Sequence, residues 1–225
     1  MLPSNEHAAV RVRSGSVTSD PLDLLSRLHA GLHTSWLRNT YPFVKFGTKT
    51  SVHPTCDINR DASRFMQIED FVFLGREVWL NVADVSFGSD AKIVLAKGCK
   101  IGRRSTISAR NLIHLAEDVL LAPGVLLMDH NHEYGNTEQP IHAQGVTDGG
   151  TIRIEKNCWL GYACVVFCAK GNLTIGRNSV VGAHSVVTKS VPDYSIVAGN
   201  PAKVIKSYDI STKQWIKTAP SEDEE

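Results

Sequence analysis

The sequence predicts an all-β solenoid made of six-residue repeats. From about residue 51 onward, large apolar residues recur at every sixth position and arrive in groups of three. A period of six fits neither the turn of an α-helix nor the two-residue alternation of a half-buried strand. Three flat hexapeptide faces that close one triangular coil do explain it, because one inward anchor per face can then stack on its counterpart in the next coil. The anchors are Val52, Ile58, Ile68, Leu74, Leu80, Leu95, Ile101, Ile107, Leu115, Leu121, Leu127, Ile154, Leu160, Val166, Ile175, Val181 and Val187.

Composition and charge argue against several classes of function. The 225 residues are 42% hydrophobic and 21% charged, with a formal net charge of +1, so no charge excess favours nucleic acid as a partner. No apolar run is long enough to cross a bilayer, and we expect no membrane span. The first residues carry no apolar block of the signal-peptide type, so we expect a cytoplasmic protein.

The pattern divides the chain into three segments. Residues 1–50 form an N-terminal tail and a short amphipathic helix, which begins at Asp20-Pro21, where an N-cap acceptor precedes a proline. The solenoid occupies residues 51–206. A C-terminal tail, residues 207–225, ends in an acidic run typical of a solvated terminus. The helix covers about residues 21–37 and packs on its own scaffold or on a neighbouring subunit, with apolar residues at helical spacing at Leu25, Leu28, Leu32 and Trp36.

The six-residue rhythm breaks once within the solenoid, between Leu127 and Ile154. The gap contains several glycines and a proline, which predicts an extended loop over residues 128–153 and not a degenerate coil. Loops of this length in a compact domain usually carry function.

The cysteines fit the solenoid as packing residues. The five cysteines show no CxxC pair, which argues against both a zinc knuckle and a disulfide framework. Most of them stand four residues after an anchor, at a small inward position where a thiol behaves as a small buried hydrophobe. We therefore expect no catalytic cysteine. These residues are Cys56, Cys99, Cys158 and Cys164.

Two histidines, His130 and His132, lie at the start of the predicted loop. A neutral imidazole can take up and release a proton near neutral pH, so a pair placed on an excursion from a rigid repeat predicts acid–base chemistry. From position alone, either histidine can be the base, and a purely structural pair is also open.

Three motifs in the second half of the solenoid carry a family resemblance. Trp159-Leu160-Gly161, Val186-Val187-Thr188-Lys189 and the run from Val197 to Ile205 resemble the left-handed β-helix hexapeptide-repeat acyltransferases. The likeness covers about residues 50–207. It points to the branch with galactoside and maltose O-acetyltransferases, xenobiotic acetyltransferases and polysaccharide O-acetyltransferases.

The resemblance implies a fold and an activity. The fold is a left-handed parallel β-helix with a short N-terminal helix and an extended loop after Leu127. The activity is transfer of an acyl group from acetyl-CoA to a hydroxyl of a sugar or glycan precursor, with a histidine base, no acyl-enzyme and no metal. The resemblance also implies a homotrimer with shared active sites.

The resemblance assigns roles to individual residues. The ungapped spacing from Ala122-Pro123-Gly124-Val125 matches the family's catalytic histidine to His132, with His130 as the competitor. Contacts to coenzyme A fall on Tyr162, Ala183, Thr188, Lys189, Lys203 and Lys206. Trp159 matches a tryptophan near the acceptor pocket, and a packing role under the loop is the alternative. His142 and Gln144, in the loop, are expected either to contact the acceptor or to form a turn.

The sequence also departs from the family. Gly102 and Arg110 stand where the sugar-acetylating branch has an acceptor-binding asparagine and aspartate, so galactoside or maltose specificity is not carried over. The segment 168–172 lengthens one turn. Three alternatives stay open: a xenobiotic or amine acetyltransferase, a zinc hydratase of the γ-carbonic-anhydrase type, and a scaffold without catalytic activity. The hydratase needs three convergent imidazoles, usually with a pair five residues apart, and no histidine stands five residues from His130 or His132.

Overall fold

The structure is a computed structural model that describes residues 21–85 and 90–218. These residues contain one α-helix, α1 (Pro21–Thr40), and two short 3-10 helices, Ala62–Phe65 and Ile141–Ala143. Parallel strands after α1 wind into a left-handed β-helix with three flat faces. The predicted fold class is confirmed. The tail before residue 20 and the acidic run at the C-terminus lie outside the described residues, as do the side chains of residues 21–23.

The strands fall into three sheets, one for each face of the coil. The first face contains β1 (Lys45–Phe46), β4 (Met66–Ile68), β7 (Ile93–Leu95), β10 (Leu112–Leu115), β13 (Gly149–Ile154) and β16 (Lys170–Ile175). The second face contains β2 (Ser51–Val52), β5 (Phe73–Leu74), β8 (Lys100–Ile101), β11 (Leu120–Leu121), β14 (Trp159–Leu160), β17 (Val180–Val181), β19 (Ser195–Gly199), β20 (Ala202–Asp209) and β21 (Gln214–Lys217). The third face contains β3 (Asp57–Ile58), β6 (Trp79–Val82), β9 (Thr106–Ala109), β12 (Leu126–Met128), β15 (Val165–Phe167) and β18 (Val186–Val187).

The predicted anchors stack as ladders along each face. On the second face, parallel pairing places each anchor directly beside the anchor of the next coil, and all are at most 2% exposed. Burying a side chain of this size stabilises the fold by about 1.5–3 kcal/mol, so these ladders form the core. The ladder consists of Val52, Leu74, Ile101, Leu121, Leu160, Val181 and Val197.

The residue that follows an anchor is often small, because successive coils bring their backbones close together at the corners between faces. At Gly102, an added Cβ would lie 2.5 Å from the carbonyl carbon of Ala122, which is backbone of the next coil.

The residue three positions after many of the anchors adopts a positive φ. This conformation turns the chain toward the next face and costs about 1–3 kcal/mol for a non-glycine residue. These residues are Phe71, Glu77, Gly98, Arg104, Asp118, Gly124, Asn157, Ala163, Asn178 and His184.

The longer connections within the solenoid leave at one corner, between the third face and the first. They include residues 59–65, the connection from Val82 to Ile93 and the long excursion 129–148. The excursion ends earlier than the predicted loop 128–153, because β13 begins at Gly149. The turn that was predicted to be lengthened at residues 168–172 is shorter than expected. Only residues 168 and 169 form the turn, because β16 begins at Lys170 and pairs with β13 over six residues.

Helix α1 lies against the first coil. The Thr34 hydroxyl accepts a hydrogen bond from the N–H of Val52 at 2.9 Å, and Leu37 is buried. The helix runs to Thr40, past the predicted end at 37. Its apolar stripe points away from the solenoid, since the predicted packing residues Leu25, Leu28, Leu32 and Trp36 are each more than half exposed. Among the described helices, none has the length and apolar character needed to cross a membrane.

The C-terminal end is closed by antiparallel strands. β19 pairs with β20 and β20 pairs with β21, so ordered structure continues past the predicted boundary at residue 206. The hairpin covers the edge that β19 would otherwise expose, and the rings of Tyr208 and Trp215 pack at a centroid distance of 5.3 Å.

We predict that Gly102→Ala lowers the free energy of unfolding by about 1–3 kcal/mol, because the new Cβ would strike the backbone of the next coil. Gly31→Ala is the matched control. Nothing lies within 4 Å of the Cβ position at Gly31 in α1, and alanine there should stabilise the helix by about 0.5–1 kcal/mol. Urea midpoints of the two variants measure the difference, and equal midpoints would contradict the close-approach argument.

We also predict that the buried thiols resist modification at pH 8. Burial raises the pKa of Cys99 and of Cys164 to about 12, so both stay protonated and poorly nucleophilic at that pH. Reaction with Ellman's reagent should be slow in the native protein and complete in denaturant. Fast labelling of either cysteine in the native state, mapped by mass spectrometry, would show that the coil opens.

Candidate active site

A groove of about 430 Å³ lies on the outer surface of the third face. The outward side chains of β6, β9 and β12 form its floor, and the start and return of the long excursion form its wall. Both histidines singled out from the sequence line this groove. Its lining residues are Trp79, Asn81, Val82, Ala83, Thr106, Ser108, Leu126, Met128, His130, His132 and Val146.

The floor of the groove contains a hydrogen-bonded pair of polar side chains. Asn81 and Ser108 lie side by side on β6 and β9, and the amide of Asn81 donates to the Ser108 hydroxyl at 2.8 Å. The amide oxygen of Asn81 has no hydrogen-bond partner among the described residues. Trp79, 44% exposed, adds an aromatic surface at the edge. Such a combination suits a ligand that has hydroxyl groups on an apolar ring.

The excursion is fastened at its base by Asp129, whose side chain is completely buried. The tight corner between β9 and β10 leaves backbone N–H groups without strand partners. The Asp129 carboxylate accepts from these groups, at 2.7 Å from Arg110 and at 2.9 Å from both Asn111 and Leu112. One side chain therefore joins the loop to the preceding coil.

Asp129 also holds His130. Nδ1 of His130 lies 3.1 Å from Oδ1 of Asp129, and the His130 side chain is only 8% exposed. Both carboxylate oxygens already accept from backbone N–H groups, so Nδ1 must be the donor in this contact. In the neutral imidazole the lone pair is then on Nε2, which has no hydrogen-bond partner among the described residues.

His132 lies nearer the solvent. Its backbone forms an antiparallel bridge with Val146, and the neighbouring Asn131 exchanges hydrogen bonds with Thr147 at 2.8 and 2.9 Å. The backbone position is therefore fixed. The imidazole is exposed and makes no hydrogen bond within the described part of the chain. It is open to a ligand in the groove.

The other two loop residues expected to contact the acceptor or to form a turn are Gln144 and His142. The side chain of Gln144 bonds both backbone groups of Asn136 and the carbonyl of Gln139, at 2.8–3.0 Å. These hydrogen bonds use both polar atoms of the Gln144 side chain within the loop, as the turn-forming alternative requires. His142 lies exposed on a single 3-10 turn, Ile141–Ala143.

Trp159 does not reach the groove within one chain. It lies on the outer surface of the second face and is 50% exposed, whereas the groove is on the third face. A contact between Trp159 and an acceptor in this groove would need a neighbouring copy of the chain.

Several residues predicted to bind the cofactor flank the open edge of the third face. This sheet ends at β18, while the second face continues into β19 and its hairpin. Ala183 precedes β18, and Thr188 and Lys189 follow it. An edge strand offers unpaired N–H and C=O groups.

The other predicted cofactor residues are more spread out. Tyr162 lies one coil before Ala183 at the same corner, and its carbonyl accepts from the N–H of His184 at 2.8 Å. Lys203 follows the hairpin turn, which approaches this corner because Gly199 donates to Ser185 Oγ at 3.1 Å. Lys206 lies farther along β20, opposite Lys217.

No group of three or more histidine, cysteine, aspartate or glutamate side chains within residues 21–85 and 90–218 is arranged to hold a metal ion. Around the groove, the carboxylate oxygens of Asp129 are occupied by backbone N–H groups and His130. The two groove imidazoles therefore lack a third ligand.

Sequence reasoning missed four residues of this site: Trp79, Asn81, Ser108 and Asp129. The signal was present for Asn81 and Ser108, which follow anchors on the third face in consecutive coils and so must point outward side by side. The two residues that depart from the family pattern, Gly102 and Arg110, do not line the groove. Gly102 is a corner residue, and Arg110 reaches the loop with Nη1 3.4 Å from the carbonyl of Val146.

Comparison with protein-family models finds none that matches the chain. Individual curated proteins do match. The probable acetyltransferase Rv3034c of Mycobacterium tuberculosis is 30% identical over 172 residues, which is 76% of this chain and 52% of that protein, so the chain spans about half its length. Galactoside O-acetyltransferase of Escherichia coli is 26% identical over 209 residues, 91% of each chain.

Solved structures share the fold. A mutant of AntD, an N-acyltransferase from Bacillus cereus in complex with dTDP and coenzyme A, superposes with a TM-score of 0.65 at 17% identity, over 79% of this chain and 91% of that one. A hexapeptide-repeat acetyltransferase from Vibrio cholerae, complexed with acetyl coenzyme A, gives 0.52 at 19% identity, over 84% and 90%. The resemblance to hexapeptide-repeat acyltransferases expected from the sequence is confirmed.

Proposed function

We propose that this chain is an acetyl-CoA-dependent O-acetyltransferase that acts on a hydroxyl of a sugar or glycan precursor. The observation that carries the proposal is the groove on the third face, where two imidazoles stand beside a polar floor and an exposed tryptophan. The relatives with acetyltransferase activity in their names supply the reaction class. The groove supplies a base and a surface for a polyhydroxylated acceptor.

In the proposed reaction His132 is the general base. Its exposed imidazole removes the proton from the acceptor hydroxyl while the oxygen attacks the thioester carbonyl carbon, and a backbone N–H stabilises the oxyanion. Collapse of the tetrahedral intermediate breaks the C–S bond, and the thiolate of coenzyme A receives the proton from the imidazolium. The products are the acetyl ester and free coenzyme A.

Direct transfer is proposed in place of an acyl-enzyme. The cysteines with a raised pKa are inside the coil and offer no thiolate near neutral pH: Cys56, Cys99, Cys158 and Cys164. In the groove, Ser108 is engaged with Asn81. Neither group is prepared to accept the acetyl from coenzyme A.

The donor is proposed to bind along the open edge at β18. The pantetheine arm can add to an edge strand through main-chain hydrogen bonds, and the anionic nucleotide end favours lysine. β18 is two strands from β12, about 10 Å at the usual strand spacing, so an arm lying across the third face brings the thioester to the histidines. Tyr162, Ala183, Thr188, Lys189, Lys203 and Lys206 are the proposed contacts.

The working form is proposed to be a cytoplasmic homotrimer. Outward residues of the first face are mostly polar, including Gln67, His114, Arg153 and Thr174. The second and third faces present apolar side chains instead, at Phe73, Leu120, Trp159 and Val180 and at Trp79, Leu126, Val165 and Val186. Packing the second face of one copy against the third face of the next would bring a neighbour's Trp159 toward the groove.

We predict that the protein transfers acetyl from acetyl-CoA to members of a panel of glycosides and polysaccharides. His132→Ala should lower kcat about 10²–10⁴-fold, because the contribution of a general base is lost. Coenzyme release and product mass measure the transfer, and Tm of each variant controls for folding. His130→Ala serves as the comparison variant.

The same panel separates the alternatives. Acetylation of amines only would contradict an O-acetyltransferase and favour the amine acetyltransferase. Stoichiometric zinc with hydratase activity would favour the zinc enzyme. Loss of turnover in His130→Ala with retention in His132→Ala would move the base to His130.

We further predict that light scattering finds three chains per particle at working concentration. Trp159→Lys should weaken the association, because it places a charge on the second face, and should reduce turnover together with it. Gln67→Lys on the first face is the matched control and should leave the trimer intact. A wild-type monomer with full activity would contradict the shared site.

A further inference from the structure

One ring nitrogen in the groove is oriented and yet has no partner. His130 is almost fully buried, its Nδ1 is committed to Asp129, and its side chain lines the groove that also contains His132. No buried side-chain nitrogen or oxygen among the described residues lacks a hydrogen-bond partner. Nε2 of His130 has no such partner, so it is not a buried atom. Because the His130 side chain lines the groove, Nε2 is open to the groove.

The orientation of this imidazole comes from the backbone of the preceding coil. Three N–H groups at the β9–β10 corner fix the carboxylate of Asp129, and the carboxylate in turn fixes the ring. The contact selects the tautomer in which Nδ1 donates and Nε2 can only accept.

An acceptor nitrogen inside a groove must be met by a donor from the ligand, because an unmatched polar atom weakens binding once water is excluded. Hydroxyl groups of a carbohydrate are such donors. The donor facing Nε2 has to be a different hydroxyl from the one that reacts, since that hydroxyl gives its proton to His132.

We propose that Asp129 is a positioning residue that presents Nε2 of His130 to the groove, where it accepts a hydrogen bond from a second, non-reacting hydroxyl of the acceptor. The proposal rests on the proposed function and narrows the substrate class to acceptors with at least two hydroxyls. His130 is a substrate-binding residue, and His132 remains the base.

His130→Asn tests the contact directly. The asparagine amide can replace Nδ1 as the donor to Asp129, so the loop keeps its fastening, but nothing replaces Nε2. With acetyl-CoA and methyl α-D-glucopyranoside as the probe acceptor, KM for the glycoside should rise about 10–100-fold while kcat changes less than about threefold. Tm should stay near that of the wild type.

His130→Gln is the rescue variant, because its longer side chain can bring an amide oxygen toward the position of Nε2. Its KM should lie between those of the wild type and His130→Asn. Unchanged KM and kcat in His130→Asn would make His130 a structural residue and overturn the proposal. A fall in kcat with unchanged KM would also overturn it, since that result assigns His130 to the proton transfer.

The positioning role is tested without turnover by ¹⁵N NMR of histidine-labelled protein, with His130→Asn used to assign the signals. Wild-type His130 should show a protonated Nδ1 and a bare Nε2. Asp129→Asn can donate to Nδ1 and should reverse this pattern, as well as lower Tm through the lost backbone contacts. A protonated Nε2 in the wild type would overturn the proposal. If no acceptor in the panel is acetylated, the proposed function is contradicted. The NMR experiment would still decide which ring nitrogen of His130 carries the proton.

Discussion

The structure depends on the close stacking of backbone between successive coils. Each face is a parallel ladder in which anchor meets anchor, and at Gly102 no Cβ fits between one coil and the next. Because pairing has a two-residue alternation, the inward anchors fix which side chains point outward. Asn81, Ser108 and Met128 form the floor of the groove for this reason, with their neighbours Leu80, Ile107 and Leu127 in the core.

The groove combines this rigid floor with a wall formed by the loop. Asp129 makes the junction, because its buried carboxylate satisfies the corner of the preceding coil and orients His130. The bridge between His132 and Val146 and the bonds between Asn131 and Thr147 then return the chain toward β13. Main-chain contacts thus fix the ring of His130 through Asp129 and the backbone position of His132.

Sequence alone predicted the solenoid well, because a six-residue period suits neither a helix nor an ordinary strand. The ladder from Val52 to Val181 follows this period, whereas Val197, which extends the ladder, was not among the predicted anchors. The loop and its two histidines were predicted for the same reason, as a break in that period. The Asp129 contacts were not predictable, because they join residues far apart in sequence through backbone groups. Trp159 was matched by motif, yet a motif does not say which face of a triangular coil it occupies. For α1, helical spacing indicated an apolar face, but Thr34 and Leu37 determine the side that packs.

All the long connections leave the solenoid at the corner between the third face and the first, beside the groove. The other two corners are held by left-handed residues and tight backbone contacts, and tolerate little change in length. Evolution can therefore lengthen, shorten or replace the loops at that single corner while the coils keep their stacking. A scaffold of this kind can exchange one acceptor for another through insertions and deletions, without first losing and then regaining its ability to fold.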